Sequence, residues 1–220
     1  MATDASVTLR SRSWLWAEFA ALYIGAPLAI ALFLPPERMF AALFALTLVG
    51  LVLLWRTGGF DWRSLIGGWD QINWPFAALF TVGVAAVGYA IMRATEPDYI
   101  RELTGPRLRF LFLIWLLYPI LSALPQELIF RPLFFHRFGS LFPDGRVAIL
   151  ANAAIFSFAH LMYWSIVVAI MTFLGGLFFA RAYQQRGFLS AWLLHALAGN
   201  ALFAVGMGYY FWSGNVVRPF

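Results

Sequence analysis

From residue 14 to residue 34 the chain runs for 21 residues with one charged side chain, Glu18. Runs of this kind recur along the sequence, and they constrain the fold more than any other feature. About 20 consecutive apolar residues, wound as a helix, match the hydrocarbon core of a bilayer. In that medium the backbone must satisfy its own hydrogen bonds, which leaves helices or closed barrels. Further apolar runs lie at about 39–55, 75–92, 110–138, 147–162, 165–183 and 189–212. They predict an all-α, polytopic transmembrane helical bundle of about seven spans, within a range of six to eight. Only 11% of residues are charged, against roughly 25% in a soluble domain, so a soluble fold is excluded. The first run exceeds the roughly 7–15 residues of a signal-peptide core and lacks a small-residue cleavage site, so it reads as a retained span.

The loops fit this division. Residues 35–38 pair two prolines ahead of Glu37 and Arg38, a turn that cannot continue a helix. Residues 56–74 carry Gly58, Gly59, Asp61, Gly67, Gly68 and Asp70, with Trp62, Trp69 and Trp74 suited to an interfacial aromatic belt. Residues 93–109 hold Glu96, Asp98, Arg101, Glu102 and Arg107. The organisation expected is one integral membrane domain. Within it, residues 1–110 form N-terminal spans and loops, 111–213 a helical core that carries the chemistry, and 214–220 a tail.

The formal charge of +5 comes from 15 basic residues, all of them arginine. They are scattered between apolar runs, which is a topology signal and not a nucleic-acid surface. With seven spans, a cytoplasmic N-terminus puts Arg10, Arg12, Arg56, Arg63, Arg137, Arg146, Arg181 and Arg186 inside. Arg38, Arg93, Arg101, Arg107, Arg109 and Arg218 then lie outside, and Arg131 within the membrane. Cysteine is absent, which removes disulfides and thiolate-bound metals.

Ionisable side chains near the bilayer midplane cost about 2.5–3.5 kcal/mol on insertion scales and usually face the bundle interior. Those that need a reason here are Glu18, Gln126 with Glu127 and Arg131, His160, His195 and Asn200, with Asn152 as a further polar residue. Glu127 and Arg131 are four apart and share a helix face, while Gln126 is turned about 100° from Glu127. Phe156 and His160 are also four apart. Glu18 and His136 sit near span ends and read as interfacial. The tyrosines and tryptophans at the span ends read as belt residues. A lone histidine in an apolar helix is more often a hydrogen-bonded core residue, and an i, i+4 ion pair is as readily structural. A carboxylate and two histidines on three separate spans, however, make up a general acid–base set, and a histidine with an asparagine amide can donate to an oxyanion.

These residues resemble the markers of the CAAX protease and bacteriocin-processing family (CPBP, also called ABI) of glutamic intramembrane endopeptidases. That family carries Glu-Glu-x-x-x-Arg, Phe-x-x-x-His and His-x-x-x-Asn, in that order. The corresponding residues here are Gln126-Glu127-Leu128-Ile129-Phe130-Arg131, Phe156 to His160, and His195 onward, with Gly175, Gly176 and Gly187 between. The resemblance covers about residues 115–205. It implies cleavage of peptide bonds in or beside the membrane by water held between a glutamate and a histidine. The second histidine and the asparagine would stabilise the oxyanion, and no metal or other cofactor would be required. Three positions depart from the pattern. Gln126 replaces the first glutamate, which is the base in the family. Gly199 occupies the fourth position after His195, with Asn200 fifth, so that a π-turn near Gly199 would be needed to bring Asn200 onto the His195 face. Pro132 follows Arg131 and predicts a kink.

The expected protein is therefore an intramembrane endopeptidase of a bacterial cytoplasmic membrane. Its expected partners are the lipid bilayer and a membrane-anchored protein or peptide substrate, with no nucleic acid. Glu127 is expected as general base, His160 as the water-positioning group, His195 and Asn200 as oxyanion donors, and Gln126, Arg131 and Phe156 in support. CAAX-type processing, bacteriocin maturation or immunity, and removal of a C-terminal sorting tail all fit. Two other readings fit part of the pattern: an inactive family member that binds a membrane partner, and a small proton-coupled transporter.

Overall fold

The computed structural model describes residues 3–101 and 106–220, with side chains over 12–99, 109–212 and 214–220. Glu102 lies outside the described residues, as do the side chains of Arg10, Arg101 and Arg107. Six helices are long and apolar enough to cross a membrane: α1 (Arg12–Phe33), α2 (Pro36–Thr57), α3 (Trp74–Thr95), α4 (Arg109–Leu141), α5 (Gly145–Tyr163) and α6 (Ile166–Arg186). A shorter apolar helix, α7 (Phe188–Ala204), completes the bundle, and a single turn, α8 (Gly208–Phe211), follows it. The protein is a multi-pass helical membrane protein. Its outer surface is apolar, with Leu48, Leu79, Val82, Leu116 and Leu150 exposed, as expected where the surrounding medium is itself hydrocarbon.

The last span differs from the expected 189–212. It stops at Ala204 because Gly206 adopts φ 91°, a left-handed conformation that glycine takes without a Cβ penalty. The Met207 and Gly206 amides then turn back onto the carbonyls of Leu202 and Phe203, closing a Schellman motif.

Prolines shape the two helices that build the interior. Wide π-helical stretches occupy Ala21–Gly25 in α1 and Pro119–Ala123 and Ile129–Phe138 in α4. Pro27 and Pro125 follow the first two, and Pro132 lies inside the third. A proline ring cannot donate and collides with the carbonyl four residues back, and a π-turn is one way a helix continues around the conflict. The kink expected at Pro132 is thus taken up as a widened helix. Backbone groups left over by these turns find side chains from neighbouring spans. Tyr23 Oη donates to the Ile129 carbonyl at 2.7 Å, Asn152 Nδ2 to the Phe130 carbonyl at 2.6 Å, and Trp192 Nε1 to the Pro119 carbonyl at 2.8 Å. In lipid such pairing replaces the water that a soluble helix would use.

The core is aromatic. Phe19, Tyr23, Phe130, Phe134, Phe138 and Phe156 are buried together and pack edge-to-face or tilted, as between Tyr23 and Phe138 at 5.7 Å. Two spans approach closely at Gly176. A Cβ there would lie 3.0 Å from the Ala153 Cα, so α5 and α6 meet almost backbone to backbone. At the end of α4, Arg137 donates to Glu18 at 2.5 and 2.9 Å and to Thr57 at 2.8 Å, and His136 donates to the Gly58 carbonyl at 2.8 Å. These contacts account for Glu18 and His136.

Candidate active site

Glu127 and Arg131 are both fully buried, at 0% exposure. Glu127 stands on a short stretch of regular α-helix between the two π segments of α4, and Arg131 is one turn on. The guanidinium donates through Nε to Glu127 Oε2 at 2.9 Å and through Nη2 to Oε1 at 3.3 Å. Its Nη1 donates to Asn152 Oδ1. The Arg131 plane also lies 5.1 Å from the Phe156 ring centroid and 5.8 Å from that of Phe179. A buried charge without a partner is far more costly than a paired one, and this cluster leaves neither charge alone. Asn152 joins Arg131 to the opened backbone of α4.

His195 on α7 reaches the same carboxylate. Its Nδ1 lies 2.9 Å from Glu127 Oε1. An ionised carboxylate only accepts, so Nδ1 carries the hydrogen and Nε2 of the neutral ring keeps its lone pair. The Tyr118 hydroxyl, 3.1 Å from Nε2, is then the donor to it. Phe179 stacks on the His195 ring with centroids 4.8 Å apart, which fixes its plane. The same reasoning assigns His160. Its Nδ1 is 2.7 Å from the Phe156 carbonyl, and a carbonyl cannot donate, so His160 also presents an unprotonated Nε2. The Phe156 ring packs edge-on against both, with centroids 4.8 Å from His160 and 5.5 Å from His195.

Both histidines line a cavity of about 580 Å³. Its other polar walls include Tyr118, Ser122, Gln126, Tyr163 and Thr172; the remainder is overwhelmingly aliphatic and aromatic. Phe40, Leu113, Leu117 and Leu121 belong to its lining and are also exposed on the outer face of the bundle, so the cavity reaches the surface that meets acyl chains. Gln126 looks into it and donates through Nε2 to Ser122 Oγ at 3.0 Å. Glu127 does not line it, and meets the cavity only through His195.

Glu127, Arg131, Phe156, His160 and His195 are therefore brought together, with Gln126 beside them. Asn200 is not. Helix α7 is regular α-helix throughout, with no π-turn at Gly199, and the Asn200 amide donates to the Trp115 carbonyl at 3.1 Å. That carbonyl lies four residues before Pro119, which has no hydrogen to offer it, so Asn200 supplies a donor that α4 lacks. Trp115 Nε1 answers by donating to the Asn200 carbonyl at 3.0 Å. Tyr118, given no role in the sequence reading, belongs to the site. Its position well inside the run 110–138 was a signal against an interfacial place. Among the described residues no three His, Asp or Glu side chains are grouped so as to hold a metal ion.

A buried Glu/Arg/Asn cluster that carries a histidine to an apolar, laterally open cavity marks the candidate site of this polytopic membrane protein. Residues 108–201 match the family described as type II CAAX prenyl endopeptidase Rce1-like. Over those residues the protein is similar to that Rce1-like group, which is part of the CPBP family. The match runs from the start of α4 into α7 and contains every residue of the cluster. No curated protein and no solved structure matches the chain.

Proposed function

We propose that the protein is an intramembrane endopeptidase that hydrolyses a peptide bond of a membrane-anchored protein, next to a lipidated or hydrophobic C-terminal tail. The observation that carries this reading is the Glu127–His195 pair, with Nε2 of His195 directed to an apolar cavity that His160 also lines. Endopeptidase activity is what the Rce1-like match supports at the level of the family. A bacterial cytoplasmic membrane, with the N-terminus inside, fits the arginine distribution.

The side chains suggest a division of labour. Water in the cavity donates one hydrogen to His195 Nε2 and the other to His160 Nε2. As its oxygen attacks the scissile carbonyl, one proton passes to His195, and the Glu127 carboxylate on the far side of the ring stabilises the imidazolium. When the carbon–nitrogen bond breaks, the imidazolium returns that proton to the departing amine. The products are a carboxylic acid and an amine. His195 is thus the base, and Glu127, expected as the base from the sequence, supports it without touching water, because Arg131 and His195 already occupy its oxygens. Arg131 holds the carboxylate, Phe156 packs against both histidine rings, and Asn200 serves helix packing. Water is the only reactant besides the substrate, and no metal takes part.

The test uses reconstituted protein with two membrane-anchored reporters, one ending in a prenylated CAAX sequence and one in an unmodified apolar tail. The wild type should cleave at least one. His160→Ala, which removes no contact to the buried ion pair, should lose about 10²–10⁴-fold in rate, the usual worth of a positioned acid–base group. A chelator should change nothing. A second reading has its own observation: the cavity-facing side chain next to Glu127 is the amide of Gln126, which cannot take a proton. A silent wild type with cleavage gained in Gln126→Glu would make the protein a family member that binds its membrane partner without cutting it.

A further inference from the structure

Hydrolysis in this cavity requires a donor to the developing oxyanion, and Asn200 points elsewhere. We propose that the Tyr118 hydroxyl is that donor, which makes Tyr118 a catalytic residue; this rests on the endopeptidase reading above. Three observations meet at this side chain. Tyr118 lines the cavity beside both histidines. Its hydroxyl already lies 3.1 Å from His195 Nε2, the atom assigned the water's proton. Its ring fills the space above Gly199, where a Cβ would collide with the hydroxyl-bearing edge of the ring and lie 2.5 Å from the hydroxyl oxygen.

Gly199 is four residues after His195 on a regular helix, so the two positions share a face. The missing side chain at 199 is what lets a phenol from α4 come down beside the imidazole. Phe203, one further turn along, packs edge-on to the Tyr118 ring at 5.7 Å and helps hold it.

The hydrogen bond between Tyr118 and His195 also sets the order of events. In the resting site the phenol hydrogen is spent on the Nε2 lone pair. Water that binds Nε2 displaces it, and once Nε2 has taken the water's proton it cannot accept from the phenol at all. The Tyr118 hydrogen is then directed to the carbonyl oxygen as that oxygen gains charge. When the tetrahedral intermediate collapses and the imidazolium gives its proton to the amine, Nε2 regains its lone pair and the phenol returns to it. No proton leaves Tyr118 in the cycle.

The experiment compares wild type, Tyr118→Phe and Gly199→Ala on whichever membrane-anchored reporter is cleaved. Tyr118→Phe keeps the ring and its packing and removes one donor. The expected result is a fall in kcat of about 10²–10³-fold, the usual loss for one oxyanion donor, with KM unchanged. A merely structural role would not produce that split. Gly199→Ala should reproduce it by pushing the ring away. In a Tyr118→Ala background, Gly199→Asn should recover part of the rate, because an amide then enters the vacated space on the His195 face. Cleavage at the wild-type rate in Tyr118→Phe would overturn the inference and leave the endopeptidase reading standing. Absence of cleavage by the wild type would remove both.

Discussion

At the scale of single residues, the buried charges govern what can be mutated and how the result reads. Glu127 and Arg131 are each other's principal partner at 0% exposure. Glu127→Gln strands the guanidinium and should cost about 3–5 kcal/mol of stability, so lost activity in that variant alone says little about chemistry. The double variant Glu127→Gln with Arg131→Met should melt at a higher temperature than Glu127→Gln in the same detergent. A lower melting point would mean that the arginine is held by Asn152 and the aromatic rings without need of the carboxylate. The division between Gln126 and Glu127 was legible in the sequence, because neighbours on regular α-helix are turned about 100° apart and residues 124–128 form such a helix. Which of the two met the cavity was not legible, since that depends on where α7 places His195.

At the scale of elements, periodicity located the spans. What it could not show were the π segments, because each changes the angular ruler on which facing residues are assigned. From Tyr118 to Glu127 is nine positions, which a regular helix turns into about 180°, the opposite face. The wide turn at Pro119–Ala123 absorbs one residue, which brings Tyr118 to within about 20° of Gln126 by the same count and so onto the cavity wall. The prolines that cause this are visible in the sequence, but their resolution as widening in place of a kink depends on partners from other spans. The reverse held in α7, where Asn200 would need a π-turn at Gly199 to reach the His195 face and regular helix is found; the contact that decides it is Asn200 with the proline-orphaned Trp115 carbonyl. Asn200→Ala should therefore cost about 0.5–1.5 kcal/mol, the net value of one hydrogen bond, and leave kcat unchanged. A large kcat loss with unaltered melting would return Asn200 to the reacting centre.

At the scale of the whole molecule, α4 is the member to which the others are fastened: α1 through Tyr23, α5 through Asn152 and α7 through Trp192. Beyond Pro119 the fastenings to α4 are Tyr23 on Ile129 and Asn152 on Phe130, with the Glu127–His195 pair between them and Pro119; before Pro119 they are the Trp115–Asn200 pair and Tyr118 on His195, and the stretch from Phe110 to Leu121 also supplies exposed cavity wall. The turn at Pro119–Ala123 thus acts as a phase shifter between two halves of one rod. Deleting one residue there, such as the exposed Leu121, cancels the offset. The half beyond the turn keeps Glu127, Arg131 and His195 in register, while Tyr118 swings round to face lipid and the Trp115–Asn200 pair is given up. The deletion should leave a folded, monodisperse protein with turnover as low as that of Tyr118→Phe. Restoring one residue anywhere in the turn, whatever its side chain, should bring turnover back, because what that turn encodes is an angle.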